Sequence, residues 1–145
     1  MRPGSKTLDS LLAARAAERA PLPAIALTTD TSLLTAAGND YGFEHVFARQ
    51  VHALGRPGDV LFLHSTSGRS PNLLAAARAA RAAGLHTIAL LAGDGGALRA
   101  EADLAILVPT GEGAHAQELH LAIGHAICGL VEHRLRIDRE EESPA

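Results

Sequence analysis

Aromatic side chains are scarce in this chain, which has no tryptophan, one tyrosine and three phenylalanines. Positive charge is in no excess either: 13 Lys+Arg stand against 16 Asp+Glu, for a net charge of −3. With its arginines scattered and few rings to stack on bases, the chain lacks the footprint of a nucleic-acid binder. One cysteine, Cys128, excludes an internal disulfide. Apolar runs are short and fall well below the roughly 20 residues of a membrane span. The N-terminus lacks the charged-then-apolar layout of a signal peptide, so a cytoplasmic protein without membrane contact is expected. No Gly-Lys-Ser/Thr ending, GxGxxG or CxxC is present, which leaves nucleotide-phosphate, dinucleotide and thiol-redox readings without a motif.

What is present suits one compact domain. The 145 residues are 47% hydrophobic, enough for a sizeable core. Ala24 to Leu27, Val60 to His64, His86 to Leu91 and Leu104 to Val108 are short apolar runs closed by turn residues, and they predict buried strands. Phe43 to Ala53, Asn72 to Ala83 and Gly96 to Ala102 repeat apolar residues at threes and fours and predict helices. Strands alternating with helices require crossovers, hence a parallel sheet covered on both faces with ligands at its carboxyl ends. The stretch "IDREEESPA" at the end is charged and predicts a frayed tail over 137–145.

The densest chemistry lies in "FLHSTSGRSPNLLAAARAARAAG". Here a strand runs into Ser65, Thr66, Ser67 and Ser70, and then into a helix with Pro71 in its first turn, a position where a missing N–H costs nothing. Free amides and the helix dipole at such a mouth attract an anion, and four hydroxyls can donate to it. A phosphate is the natural guest, carried by a sugar rather than a nucleotide. The alternative is that the hydroxyls only cap the helix and close the turn.

The combination of "GNDYGF", "STSGRS" and "QELHLAIGH", within a segment from Pro23 to His133, resembles the sugar isomerase (SIS) domain of phosphoheptose isomerases. The resemblance implies a three-layer αβα sandwich of flavodoxin-like type over residues 23–136, with strand order 2-1-3-4-5. It implies that Ser65, Thr66, Ser67 and Ser70 grip a substrate phosphate. It places Asp30, with Thr29 beside it, against sugar hydroxyls, although an Asx turn or helix cap before "TSLLTAA" explains Asp30 equally well. It assigns Gln117 and His125 to a metal site, usually zinc, with His125 also a proton carrier. Eight residues are a little over two helical turns, so both can look into one cleft. Without the family, His125 reads as a core or surface histidine.

The implied reaction converts the ketose sedoheptulose 7-phosphate into an aldose phosphate through an enediol-like intermediate, which needs a base and a stabilised oxyanion. The N-terminal segment, residues 1–22, departs from the family. Where members carry a strand, a glycine loop and a helix with a metal-binding His and a catalytic Glu, this chain places Leu11 and Arg15, with Glu18 one turn on. Leucine binds no metal and arginine is no base at neutral pH. Ala114 stands where an acidic residue is common in the family. His115 and His120 read as solvated helix residues and Cys128 as a small core residue. The resemblance further implies a homo-oligomer, dimer or tetramer, with the alanine-rich helix and the last helix suited to close packing. Two functional readings stand: an isomerase, and a non-catalytic module that senses a sugar phosphate or scaffolds an assembly.

Overall fold

A computed structural model describes residues 21–142, and the side chains within 21–135 of it. The expectations at Leu11, Arg15 and Glu18 lie outside these residues. In chain order the elements are α1 (Thr31–Tyr41), a 3-10 turn (Phe43–His45), α2 (Val46–Leu54), β1 (Val60–Ser65), α3 (Pro71–Ala82), β2 (His86–Ala92), α4 (Leu98–Glu101), β3 (Leu104–Val108) and α5 (Gly113–Glu142). The three strands form a parallel sheet in the order β1-β2-β3, with Phe62 opposite Ile88 and Ala89 opposite Ala105.

Strand alternation sorts the side chains to two faces. Leu61, Leu63, Ala89 and Leu91 join Ala48 and Val51 of α2, Ala76, Ala77, Ala79 and Ala80 of α3, and Leu98 in one core. Alanines at the helix contact let α2, α3 and the sheet approach closely, because each side chain holds its neighbour off by only one methyl group. The alanine stripe of α3 is thus spent inside its own chain. On the other face, Ala92 and Val108 meet Ala116 of α5, with Ile123 packed beside them. The sheet therefore lies between helices on both sides, as the three-layer reading requires.

Three expectations change. Ala24 to Leu27 is not a strand: it has no strand partner among the described residues, enters a turn at Leu27, and is tied down where Gln50 Nε2 donates to the Leu27 carbonyl at 2.9 Å. An apolar run becomes a strand only beside a partner that takes its N–H and C=O groups. β1 is correspondingly an edge of the described sheet, with Val60 exposed. Cys128 is exposed rather than core, because the inner face of α5 runs through Ala116, His120 and Ile123 and position 128 has turned away from it. Last, α5 continues to Glu142, through the first six residues read as a frayed tail.

One contact fixes the loop after β1. Gly68 has φ +62°, and a Cβ there would run into the carbonyl oxygen of Gly95. Gly96, at φ +54°, would meet Ser67 and Gly68 in return. Only glycine can supply both the left-handed backbone and the missing side chain at this crossing. Leu98 N–H donates to Gly68 O at 2.9 Å and closes the pair of loops into one unit.

Candidate functional site

The loop "STSGRS" lies at the carboxyl end of β1 and leads into α3. Its four hydroxyls have divided roles. Ser65 is buried and its Oγ accepts from Gly68 N–H at 2.9 Å, which shapes the turn. Ser67 Oγ accepts from Arg69 N–H at 3.3 Å. Ser70 is the N-cap residue of α3, in extended backbone with Pro71 next, yet its side chain makes no capping bond. The capping explanation therefore fails where it should hold best, and the Ser70 hydroxyl is available to a ligand.

Two clefts flank this loop. The first, of about 260 Å³, is lined by His64, Ser65, Thr66, Ser67, Ser70, Gln117 and His120. The second, of about 250 Å³, shares Thr66 and Ser67 and extends to Arg69, Asp94, Thr110 and Glu112. Their charge differs. In the second, Arg69 Nη2 meets Asp94 Oδ2 at 2.6 Å, and Glu112 adds a further carboxylate, so no positive charge is left over. The bond from Arg69, helped by Gly96 N–H, holds the Asp94 carboxyl below the usual carboxylate range. The first cleft has no carboxylate in its lining. An anion suits the first.

Ser65, Thr66, Ser67, Ser70 and Gln117 thus come together in one cleft, although they lie on a strand, a loop and the distant helix α5. His125 does not join them. It is exposed on α5, two turns past Gln117 and about 12 Å further along the axis. Thr29 and Asp30 line neither cleft. Thr29 Oγ1 donates to Ala26 O at 2.9 Å, while Asp30 caps α1, its Oδ1 accepting from Leu33 N–H at 2.9 Å.

Zinc takes about four donors. The described residues contain no group of three or more His, Cys, Asp or Glu side chains able to hold a metal, so Gln117 and His125 do not make a site by themselves.

Two imidazoles join the first cleft against expectation: His64, which no motif marks, and His120, which reads as solvated. His120 is not solvated but 4% exposed, with Nε2 at 3.2 Å from Leu91 O. A carbonyl only accepts, so Nε2 carries the proton. The His64 ring lies 6.1 Å from that of His120 and 5.1 Å from Phe62. Burial, and then His120, push the His64 pKa down.

The molecule is an open parallel α/β domain with clefts at the carboxyl ends of its strands, where such folds take their ligands. It belongs to the SIS domain family, whose profile matches residues 11–92. Among curated relatives, the phosphoheptose isomerase of Rhodospirillum rubrum is 56% identical over 118 residues, covering 81% of this chain and 63% of the relative. Two solved structures superpose well. A phosphoheptose isomerase from Francisella tularensis gives a TM-score of 0.78 at 44% identity, covering 79% of this chain and 62% of that one. The phosphoheptose isomerase of Neisseria gonorrhoeae gives 0.73 at 51% identity, covering 74% and 61%. The chain spans about three fifths of the length of the relatives it matches. No described helix is long and apolar enough to cross a membrane.

Proposed function

We propose that this protein binds a sugar phosphate through the loop Ser65, Thr66, Ser67 and Ser70 and acts as an isomerase of the phosphoheptose type. The observation that carries the reading is the Ser70 hydroxyl, which stands at the mouth of α3 without capping it and faces a cleft without carboxylates. Names of relatives at 54% identity and above point to the same substrate class. In the reaction, a base takes the proton from the hydroxymethyl carbon of sedoheptulose 7-phosphate and returns one to the neighbouring carbon. The hydroxyl proton moves between the two oxygens, so ketose becomes aldose with no net change in atoms. His125 is the proposed proton carrier, and Gln117 a polar contact at the rim. Zinc, if this protein takes it, would find two of its donors in Gln117 and His125 and needs the others from outside the described residues. Thr29 and Asp30 are proposed to reach the sugar.

A second reading has its own support. The cleft contains imidazoles but no carboxylate, and His125 lies outside its lining. A binding module that does not turn over its ligand fits this arrangement. Purified protein given sedoheptulose 7-phosphate, with aldose phosphate formation followed, decides between them. Turnover establishes the isomerase; thermal stabilisation by the sugar phosphate without turnover establishes the module. His125→Ala should abolish any turnover and leave phosphate binding in place.

We also propose that the protein is a homo-oligomer that pairs through α5, whose Leu121, Leu130 and Leu135 are exposed by 63%, 68% and 40%. Light scattering in solution, with Leu130→Glu as the disrupting variant, tests this.

A further inference from the structure

The last two residues of β1 part company. Ser65 turns into the α3 side of the sheet and is buried, whereas His64 turns to the α5 side and opens into the cleft. The His64 ring is held from two directions by Phe62, tilted at 55°, and by His120, edge-on at 63°. These are ring contacts only. Among the described residues no group hydrogen-bonds either nitrogen of His64, so both are available to whatever enters.

We propose that His64 is a ligand-contacting residue that hydrogen-bonds a hydroxyl of the sugar while the serine and threonine hydroxyls beside it hold the phosphate. The inference rests on the sugar-phosphate reading above and adds to it the group that recognises the sugar. Two chemical facts support the assignment. A neutral imidazole presents one donor and one acceptor, the same pair that a sugar hydroxyl offers in return. His64 is kept neutral near pH 7 because burial and the neighbouring His120 disfavour its charged form and no carboxylate in the cleft restores it. A ring that stays uncharged adds little to the hold on a phosphate dianion. It can still discriminate a polyhydroxylated ligand from a bare anion.

Titration calorimetry on wild type, His64→Ala and His64→Gln with two probes, sedoheptulose 7-phosphate and inorganic phosphate, tests this directly. His64→Ala should bind the sugar phosphate roughly tenfold more weakly, the loss of one hydrogen bond. Its affinity for inorganic phosphate should stay within about twofold of wild type on the same grounds. His64→Gln, which keeps a donor and an acceptor, should recover part of the loss. Equal weakening toward both probes would overturn the assignment, as would unchanged affinity for both. Failure of wild type to bind either probe would instead overturn the phosphate-loop reading. Unfolding midpoints of both variants, expected to stay near wild type because the His64 ring makes ring contacts and no hydrogen bond within the described residues, separate a contact from a folding defect.

Discussion

Ser70 separates a cap from a ligand. A serine that caps a helix is worth about 1 kcal/mol, and its loss to alanine is felt as instability. Since the Ser70 side chain makes no capping bond, Ser70→Ala should shift unfolding free energy by less than about 0.5 kcal/mol. Binding of inorganic phosphate should weaken roughly tenfold or more, because a hydrogen bond to a charged group is worth about 1.5–3 kcal/mol. Chemical denaturation and calorimetry on one preparation check both halves. The four hydroxyls were legible because they crowd six residues. His120 was missed as a buried residue, although Ala116, His120 and Ile123 follow the spacing of a helix's inner face. A histidine in that register reads as surface only while its polarity is weighed above its position. His64 gave less warning, since one imidazole at the end of an apolar run does not tell which side of the sheet it faces.

At the scale of elements, the junction of β2 with the turn before β3 is held by a closed set of bonds. Thr87 is 1% exposed; its hydroxyl donates to Asp103 Oδ2 at 2.8 Å and accepts from Asp103 N–H at 2.9 Å. Thr87 N–H donates to the same carboxylate oxygen at 2.7 Å. These bonds, the backbone one first, hold the Asp103 carboxyl below the usual range. Thr87→Val keeps the shape and removes the hydroxyl, so it should cost about 1–2 kcal/mol at neutral pH. The sign with pH follows from the lowered carboxyl. Its contribution is complete above the ordinary aspartate value of about 3.9 and is lost as pH falls through the folded value. The gap between wild type and Thr87→Val should therefore narrow in acid, as urea unfolding at pH 7 and pH 3 would show. The core strands β1, β2 and β3 were placed to within a residue because continuous apolar runs bounded by turn residues leave little choice. Ala24 to Leu27 has the same composition but no strand partner among the described residues, and pairing is a property of two segments that one segment cannot announce.

For the whole molecule, the hold on phosphate is proposed to lie with the hydroxyls of Ser65, Thr66, Ser67 and Ser70, with no metal needed for it. Treatment with EDTA should accordingly leave inorganic phosphate affinity within about twofold of the untreated protein, as calorimetry before and after dialysis would show. Turnover, where it occurs, is free to respond differently.

The crossing of Gly68 with Gly95 and Gly96 bears on time as well as shape. Two loops interlock here through their backbones, with Leu98 N–H fastened to Gly68 O, and the proposed phosphate loop is expected to bind without first closing. Ligand capture should then be limited by encounter, with one kinetic phase whose rate rises linearly with phosphate concentration and no slow step at saturation. Stopped-flow mixing would reveal a plateau if the cradle had to close. On that expectation, the glycines that look like a packing necessity would set how quickly the protein answers a change in phosphate concentration.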